Sequence, residues 1–174
     1  MDTQKVQLIL RPWTLDDLDI LVRYANNKKI ADNLTDAFPH PYTREDGMAY
    51  INNFGNEHPA RVFAIEVDGI ASGSIGIFPQ SDVHRKNAEM GYWLAEDYWG
   101  RGITTEAAKR TIEYGFKTFD INRIYARPYS TNLASQRVLE KAGMKLEGRF
   151  EKALFKNGQF LDELIYSILK QHSE

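Results

Sequence analysis

The sequence has no cysteine among its 174 residues. This absence excludes disulfides, thiolate metal ligands and any mechanism that holds the transferred group on a cysteine. The four histidines lie in turn-like or terminal contexts without the spacing of metal ligands; they are His40, His58, His84 and His172. We therefore expect no metal site, and any catalysis must use other side chains.

Long apolar runs and a large net charge are also missing. The N-terminal apolar run Leu8 to Leu10 stops at Arg11 and Pro12, which makes it too short for a signal segment or a membrane-spanning helix. The net charge of -2 offers no basic surface for nucleic acid or an anionic membrane. A local excess of nine Lys or Arg over four Asp or Glu from Arg101 to Lys145 is partly explained by solvated helix faces. We expect a soluble cytoplasmic protein with neither kind of partner.

What the chain does contain is enough for one hydrophobic core. Hydrophobic residues make up 43% of it, with 9 Phe, 9 Tyr and 3 Trp, so we expect residues 1–174 to form a single domain. The patterns predict strands over Gln7–Arg11, Arg61–Val67, Ile70–Phe78, Ala88–Ala95, Asn122–Tyr129 and Phe160–Leu169. They predict helices opening at Thr14 and covering Thr43–Asn53, Thr104–Phe119 and Asn132–Ala142, with an irregular segment over Ala31–Tyr42.

The order of these elements indicates the fold class. Asp68-Gly69 and Asn157-Gly158 are favoured two-residue hairpin turns, so the strands on either side of each turn are expected to pair antiparallel. The strand, glycine loop, helix and strand of the second half form a crossover that makes one pair parallel. The sequence therefore predicts a mixed α/β sheet with an antiparallel front.

Two closely spaced glycines, Gly100 and Gly102, stand between a predicted strand and a predicted helix. Such a loop lets backbone N–H groups and the positive end of a helix face an anion such as a pyrophosphate, although a plain tight turn has the same pattern. The third glycine of a dinucleotide-binding loop is replaced by Thr105, and the next strand offers Arg123 and Arg127 instead of a ribose-binding acid. A Walker A pattern is absent as well. Both nucleotide interpretations are disfavoured.

The segment Trp99-Gly100-Arg101-Gly102-Ile103-Thr104 resembles the acyl-CoA pyrophosphate loop of the GNAT superfamily of N-acetyltransferases, [QR]-x-x-G-x-[GA]. Trp99 and Thr104 depart from that pattern, and Gly102 keeps it. The blocks Glu89–Ala95 and Asn132–Met144 resemble the RimJ/RimL-like branch, which acetylates the N-termini of ribosomal proteins, and Leu8–Leu15 and Glu147–Asp162 resemble its two ends. The resemblance covers nearly the whole chain and implies a central, mostly antiparallel mixed sheet of about seven strands with splayed central strands and flanking helices.

The resemblance also implies where acetyl-CoA binds. Backbone N–H groups of the loop would hold the pyrophosphate, with hydroxyl donors at the helix start; the residues are Trp99, Gly100, Arg101, Gly102, Ile103, Thr104 and Thr105. Trp93, Leu94 and Ala95 would lie beside the thioester, where a free N–H of Leu94 or Ala95 could polarise the acetyl carbonyl. Asn132 would bind the pantetheine arm. Ordinary helix capping is the alternative role for Thr104, Thr105 and Asn132.

Without a cysteine, direct attack of an amine on the thioester in a ternary complex is the simplest mechanism. An α-amino group is roughly a tenth neutral at pH 7, whereas a lysine side chain is below about a thousandth, so an N-terminal acceptor needs a weaker base. Glu89 is the candidate base, directly or through water, and an ion pair with Arg85 or Lys86 is its alternative role. Ser135 corresponds to the serine implied as general acid toward the CoA thiolate, or it is an ordinary first-turn serine.

The sequence leaves the acceptor open. Leu139 occupies the position of a tyrosine in spermidine-acetylating relatives, which counts against a polyamine, and Leu154 occupies the position of a glutamate in the ribosomal-protein enzymes. We expect an acetyl-CoA-dependent N-acetyltransferase for a primary amine, preferably a protein or peptide α-amine. The alternatives are an enzyme for a small-molecule amine, namely an antibiotic, amino-acid analogue or polyamine, and a CoA-binding module without chemistry. A homodimer fits the aromatic content and the habit of the family.

Overall fold

A computed structural model describes residues 6–171. Seven strands form one sheet; they are β1 (Leu8–Arg11), β2 (Val62–Val67), β3 (Ile70–Pro79), β4 (Asn87–Leu94), β5 (Arg123–Ala126), β6 (Lys145–Lys156) and β7 (Gln159–Leu169). Their order across the sheet is β1-β2-β3-β4-β5-β7-β6, and each neighbouring pair is antiparallel except β4 and β5, which are parallel. The predicted mixed sheet with one crossover is confirmed.

Residues 6–171 contain five α-helices; they are α1 (Leu18–Ala25), α2 (Lys28–Ala31), α3 (Arg44–Phe54), α4 (Ile103–Thr118) and α5 (Leu133–Lys141). Apolar side chains of α4 and α5 pack in one core with alternate residues of β4, among them Ala88 and Met90. Residues of α1 and α3 form a second core that contains Trp93. Because side chains alternate along a strand, Glu89 lies on the face of Trp93, while Tyr92 lies on the face of α4 and α5.

The parallel pair at the centre of the sheet is short. β4 pairs with β5 only where Asn87 to Glu89 lie opposite Arg123 to Tyr125. Within residues 6–171, no strand pairs with Met90 to Leu94 on the β5 side, because β5 ends at Ala126 and Pro128, which follows, has no N–H to donate. The two strands separate beyond this point, which confirms the predicted splay and opens a gap in the sheet.

The predicted elements differ from the structure mainly at their ends. The strand predicted over Asn122–Tyr129 is shorter, and the segment predicted as irregular over Ala31–Tyr42 begins with the last residue of α2. Four residues are too few for an apolar period, so α2 was not predicted. It is held by the side chain of Asn27, which accepts from the N–H of Lys29 at 2.9 Å. None of the helices within residues 6–171 has the length and apolarity that crossing a membrane requires.

Candidate active site

The glycine loop has the backbone conformation that its sequence predicts. Gly100 and Gly102 both have φ of +74°, in the left-handed region that side chains with a Cβ disfavour. A Cβ added at either glycine would meet no other atom within 4 Å, so both open onto free space beside the loop. Gly102 caps α4, whose first intrahelical bond runs from the N–H of Glu106 to the carbonyl of Gly102. The N–H groups of the first turn are therefore directed toward that space.

Two side chains of the loop brace it locally. The indole N–H of Trp99 donates to the carbonyl of Leu94 at 2.7 Å, which ties the loop to the end of β4. The Arg101 guanidinium donates to the carbonyl of Asp97 at 2.9 Å and lies 5.3 Å from the ring centre of Tyr98. Trp99, which departs from the usual family pattern, thus holds the loop in place by its indole group.

A cleft of about 630 Å³ follows the gap between β4 and β5. It brings together eight residues that the sequence predicted for the site: Glu89, Trp93, Leu94, Trp99, Gly100, Thr104, Asn132 and Ser135. The other predicted residues do not line it; they are Ala95, Arg101, Gly102, Ile103 and Thr105. The side chain of Ile103 packs in the core under α4, so only its backbone N–H is available to an anion.

The prediction that the N–H of Ala95 could polarise the acetyl carbonyl is wrong. The N–H of Ala95 donates to the carbonyl of Ser72 on β3 at 2.8 Å, so it is not free to polarise a substrate carbonyl. In an antiparallel pair, only every second residue of a strand forms hydrogen bonds with the neighbouring strand. Because Ala95 bonds to β3, the N–H of Leu94 points away from β3 and into the gap. Leu94 is therefore the donor that the geometry leaves at this position.

The start of α5 forms one wall of the cleft. The side-chain oxygen of Asn132 accepts from the N–H of Ser135 at 3.1 Å, so Asn132 is the N-cap of α5. The Oγ of Ser135 lies 2.7 Å from the phenol oxygen of Tyr92, which reaches across from β4. Burial raises the pKa of Tyr92 to about 12, although the hydrogen bond with Ser135 opposes that shift. Sequence reasoning missed Tyr92 because nothing in the chain marks a contact over 43 residues.

Glu89 forms an ion pair, but not with the residues that the sequence predicted. Both carboxylate oxygens accept from Arg127, at 2.9 and 3.1 Å. Lys86 binds Asp120 instead, and Arg85 donates to the carbonyl of Asp82. The hydrogen bond with Glu89 raises the pKa of Arg127 above its ordinary value, so the guanidinium stays charged.

Two distant segments of the chain meet beside the cleft. Lys156, near the tip of the final hairpin, donates to Asp36 at 2.8 Å, and Asn157 donates to Asp32 at 2.8 Å. Leu34, which lies between these two aspartates, lines the cleft. Leu154 faces Leu161 across the hairpin. The final hairpin is therefore bound to the segment 31–42, which supplies part of the cleft wall.

These features fit acetyl-CoA. The helix start and the open glycines supply N–H groups for a pyrophosphate, and the gap beside Leu94 and Ser135 can hold the extended arm and the thioester. The family model described as an acetyltransferase (GNAT) domain matches residues 7–145. The chain therefore belongs to the GNAT acetyltransferases and is an acetyl-CoA-dependent acyltransferase.

Two proteins with curated names illustrate the range of its relatives. The N-acetyltransferase p20 of Bacillus licheniformis, itself uncharacterized, is 32% identical over 173 residues, which cover 95% of this chain and 94% of p20. The spermidine N(1)-acetyltransferase of Escherichia coli K12 is 27% identical over 155 residues, which cover 87% of this chain and 80% of that enzyme. The activity is shared, while the named acceptors differ or are not stated.

Solved structures share the fold. RimL, a ribosomal L7/L12 α-N-protein acetyltransferase solved with coenzyme A, superposes with a TM-score of 0.81 at 23% identity, covering 93% of each chain. RimJ of Mycobacterium smegmatis, solved with a CoA disulfide, gives a TM-score of 0.79 at 25% identity, covering 93% of this chain and 81% of that one. The predicted likeness to the RimJ/RimL-like branch is confirmed at the level of fold.

Proposed function

We propose that this enzyme acetylates the α-amino terminus of a protein or peptide by direct attack of the amine on acetyl-CoA. The observation that carries the proposal is the pairing of Glu89 with Arg127 in the cleft. Among the described residues that line the cleft, Glu89 is the only acid, and Arg127 occupies both of its oxygens. A polyamine with several positive charges finds no free carboxylate there, whereas an amine with a single charge needs none.

The low basicity of an α-amine also fits this cleft. Roughly a tenth of an α-amine is already neutral at pH 7, so Glu89 has only to accept a proton after attack, directly or through water. The carboxylate keeps lone pairs for this while it is bound to Arg127. Leu139 also supports the proposal. It occupies the position at which spermidine-acetylating relatives have a tyrosine, and this fully buried leucine places no hydroxyl in the cleft.

Other groups of the cleft would polarise the acetyl carbonyl, bind the pyrophosphate and protonate the thiolate. The N–H of Leu94 points into the gap, where it can polarise the acetyl carbonyl as negative charge develops on its oxygen. The backbone N–H groups from Arg101 to Thr105, in the loop and the first turn of α4, would hold the pyrophosphate. Ser135 stands across the gap and would protonate the departing thiolate, and Asn132 fixes the turn that carries it.

A panel of amines tests the acceptor. The enzyme is incubated with acetyl-CoA and a peptide that has a free N-terminus, the same peptide blocked at the α-amine with one free lysine, spermidine, or an aminoglycoside. We expect thiol release and α-acetylation, located by mass spectrometry, with the first peptide and not with its blocked form. Preference for spermidine or the aminoglycoside would replace the proposal with small-molecule acetylation. Calorimetric acetyl-CoA binding without release from any amine would indicate a sensor.

A further inference from the structure

A tyrosine for which the sequence predicts no role lies beside the serine of the cleft. Tyr92 projects from β4 toward the first turn of α5, where its phenol oxygen is 2.7 Å from Ser135 Oγ and 3.4 Å from the carbonyl oxygen of Ser135. Both residues line the same cleft. The contact joins β4 to the start of α5, and the thioester would lie beside it.

The donor in this contact follows from the groups present. The phenol has one hydrogen, and Ser135 Oγ at 2.7 Å is a nearer acceptor than the carbonyl oxygen at 3.4 Å. A phenol is also a far stronger acid than an aliphatic hydroxyl, so we assign Tyr92 as the donor to Ser135 Oγ. Once Ser135 Oγ accepts from Tyr92, its own hydrogen is free to point into the cleft. Without that bond, a hydroxyl in the first helical turn turns readily to nearby backbone carbonyls.

We infer that Tyr92 is a positioning residue and the source of the proton that Ser135 passes to the departing thiolate. This inference rests on the proposed transfer reaction. As the C–S bond breaks, its electrons stay on sulfur, which takes the proton of Ser135, and Ser135 takes the proton of Tyr92. The attacking amine loses its own proton to Glu89 or water. After the thiol leaves, Tyr92 recovers a proton from solvent through Ser135, so the protons balance.

Acidities show why Ser135 alone is a poor acid. A thiol has a pKa of about 8.5, whereas an aliphatic hydroxyl is about as weak an acid as water, so complete proton transfer from serine to a thiolate is strongly unfavourable. The buried phenol has a pKa of about 12. When this phenol supplies the proton through Ser135, complete transfer to the thiolate is unfavourable by only roughly three or four powers of ten. The tyrosine thus makes protonation feasible through the serine.

The test is a double-mutant cycle with Tyr92→Phe, Ser135→Ala and the double variant. We expect each single change to lower kcat roughly 10- to 100-fold, at or below the lower end of general acid effects because a thiolate leaves readily. The KM for acetyl-CoA should change little, and the double variant should be no worse than Ser135→Ala. The solvent deuterium isotope effect on kcat should shrink in Tyr92→Phe, because one fewer proton moves.

Tyr114→Phe is the matched control, because Tyr114 donates to the carbonyl of Ala60 at 2.7 Å outside the cleft. It loses a comparable phenol hydrogen bond and should keep wild-type kcat. Wild-type kcat in Tyr92→Phe, or losses that multiply in the double variant, would overturn the inference.

A second measurement needs no acceptor. Ultraviolet titration of the thiol of bound CoA should show a higher pKa in Tyr92→Phe and Ser135→Ala than in the wild type, because the thiolate loses its donor. An unchanged titration in both variants would contradict the relay. Absence of turnover with every amine would instead refute the proposed function while leaving this titration informative.

Discussion

The two ends of the cleft are built in different ways. At the cofactor side, residues 99–105, the contacts are local: Trp99 reaches back 5 residues to Leu94, and Arg101 reaches back 4 residues to Asp97. At the proposed acceptor side, formed by Glu89, Arg127 and the segment 31–42 with the hairpin bound to it, the contacts cross 38 to 125 residues. In the proposed reaction the cofactor side would bind through backbone N–H groups, whereas the acceptor side contains paired charges. A local, backbone-based site can be inferred from a motif, and a site built from distant side chains cannot.

The largest expected effect lies on the acceptor side, at Glu89. If Glu89 accepts the proton of the amine, Glu89→Gln should lower kcat/KM for the acceptor by roughly 100-fold or more while acetyl-CoA affinity is kept. Arg127→Gln removes the same ion pair but keeps the carboxylate, so its loss should be at most about ten-fold. Steady-state kinetics on both variants separate the two roles. Equal losses would show that the ion pair matters and that Glu89 is not a base.

A smaller effect is expected on the cofactor side, at Gly102. An alanine there strains a residue at φ of +74° and places a Cβ in the space where the anion would lie. Loss of one charged hydrogen bond, about 1.5–3 kcal/mol, should weaken acetyl-CoA binding roughly 10- to 100-fold in calorimetry.

Gly158→Ala is the matched control for that change, since Gly158 has φ of +76° with nothing within 4 Å and lies at the hairpin turn. Both variants should lose about 1–2 kcal/mol of stability to denaturant. Only Gly102→Ala should lose affinity. Comparable affinity losses in the two variants would mean that the loop contributes no specific anion contact.

The smallest effect is expected at Trp99. Trp99→Phe keeps a ring over the loop but removes the bond from the indole N–H to the carbonyl of Leu94, worth about 1 kcal/mol. Acetyl-CoA affinity should fall roughly five-fold, measured by calorimetry, with the acceptor KM unchanged. A loss confined to the acceptor KM would break the division between the two sides, because Trp99 would then act on the acceptor.

The fold was largely predictable because its signals are local. Hairpin turns at Asp68-Gly69 and Asn157-Gly158, and the capping residue Asn132 before α5, each act within a few residues, and the structure bears them out. The site was predictable only where a family motif covers it.

Three features of the site were beyond sequence reasoning. The partner of Glu89 was mistaken for a chain neighbour, because Arg127 comes close only through the parallel pairing of β4 and β5. Tyr92 looked like any core aromatic of a strand. Ala95 could be judged unavailable only once the register of β3 and β4 placed its N–H against Ser72.

The short pairing of β4 with β5 has a consequence for stability. Beyond Glu89, the strand carries a row of N–H and C=O groups inside the protein that behaves like the edge of a sheet. An extended ligand with amide groups can pair with such an edge as an added strand would. Binding should therefore stabilise the fold itself, by about 2.7 kcal/mol when the ligand is at one hundred times its Kd. Amide exchange at Tyr92 and Leu94 should slow most, so the abundance of the folded enzyme would follow the supply of its own acyl donor.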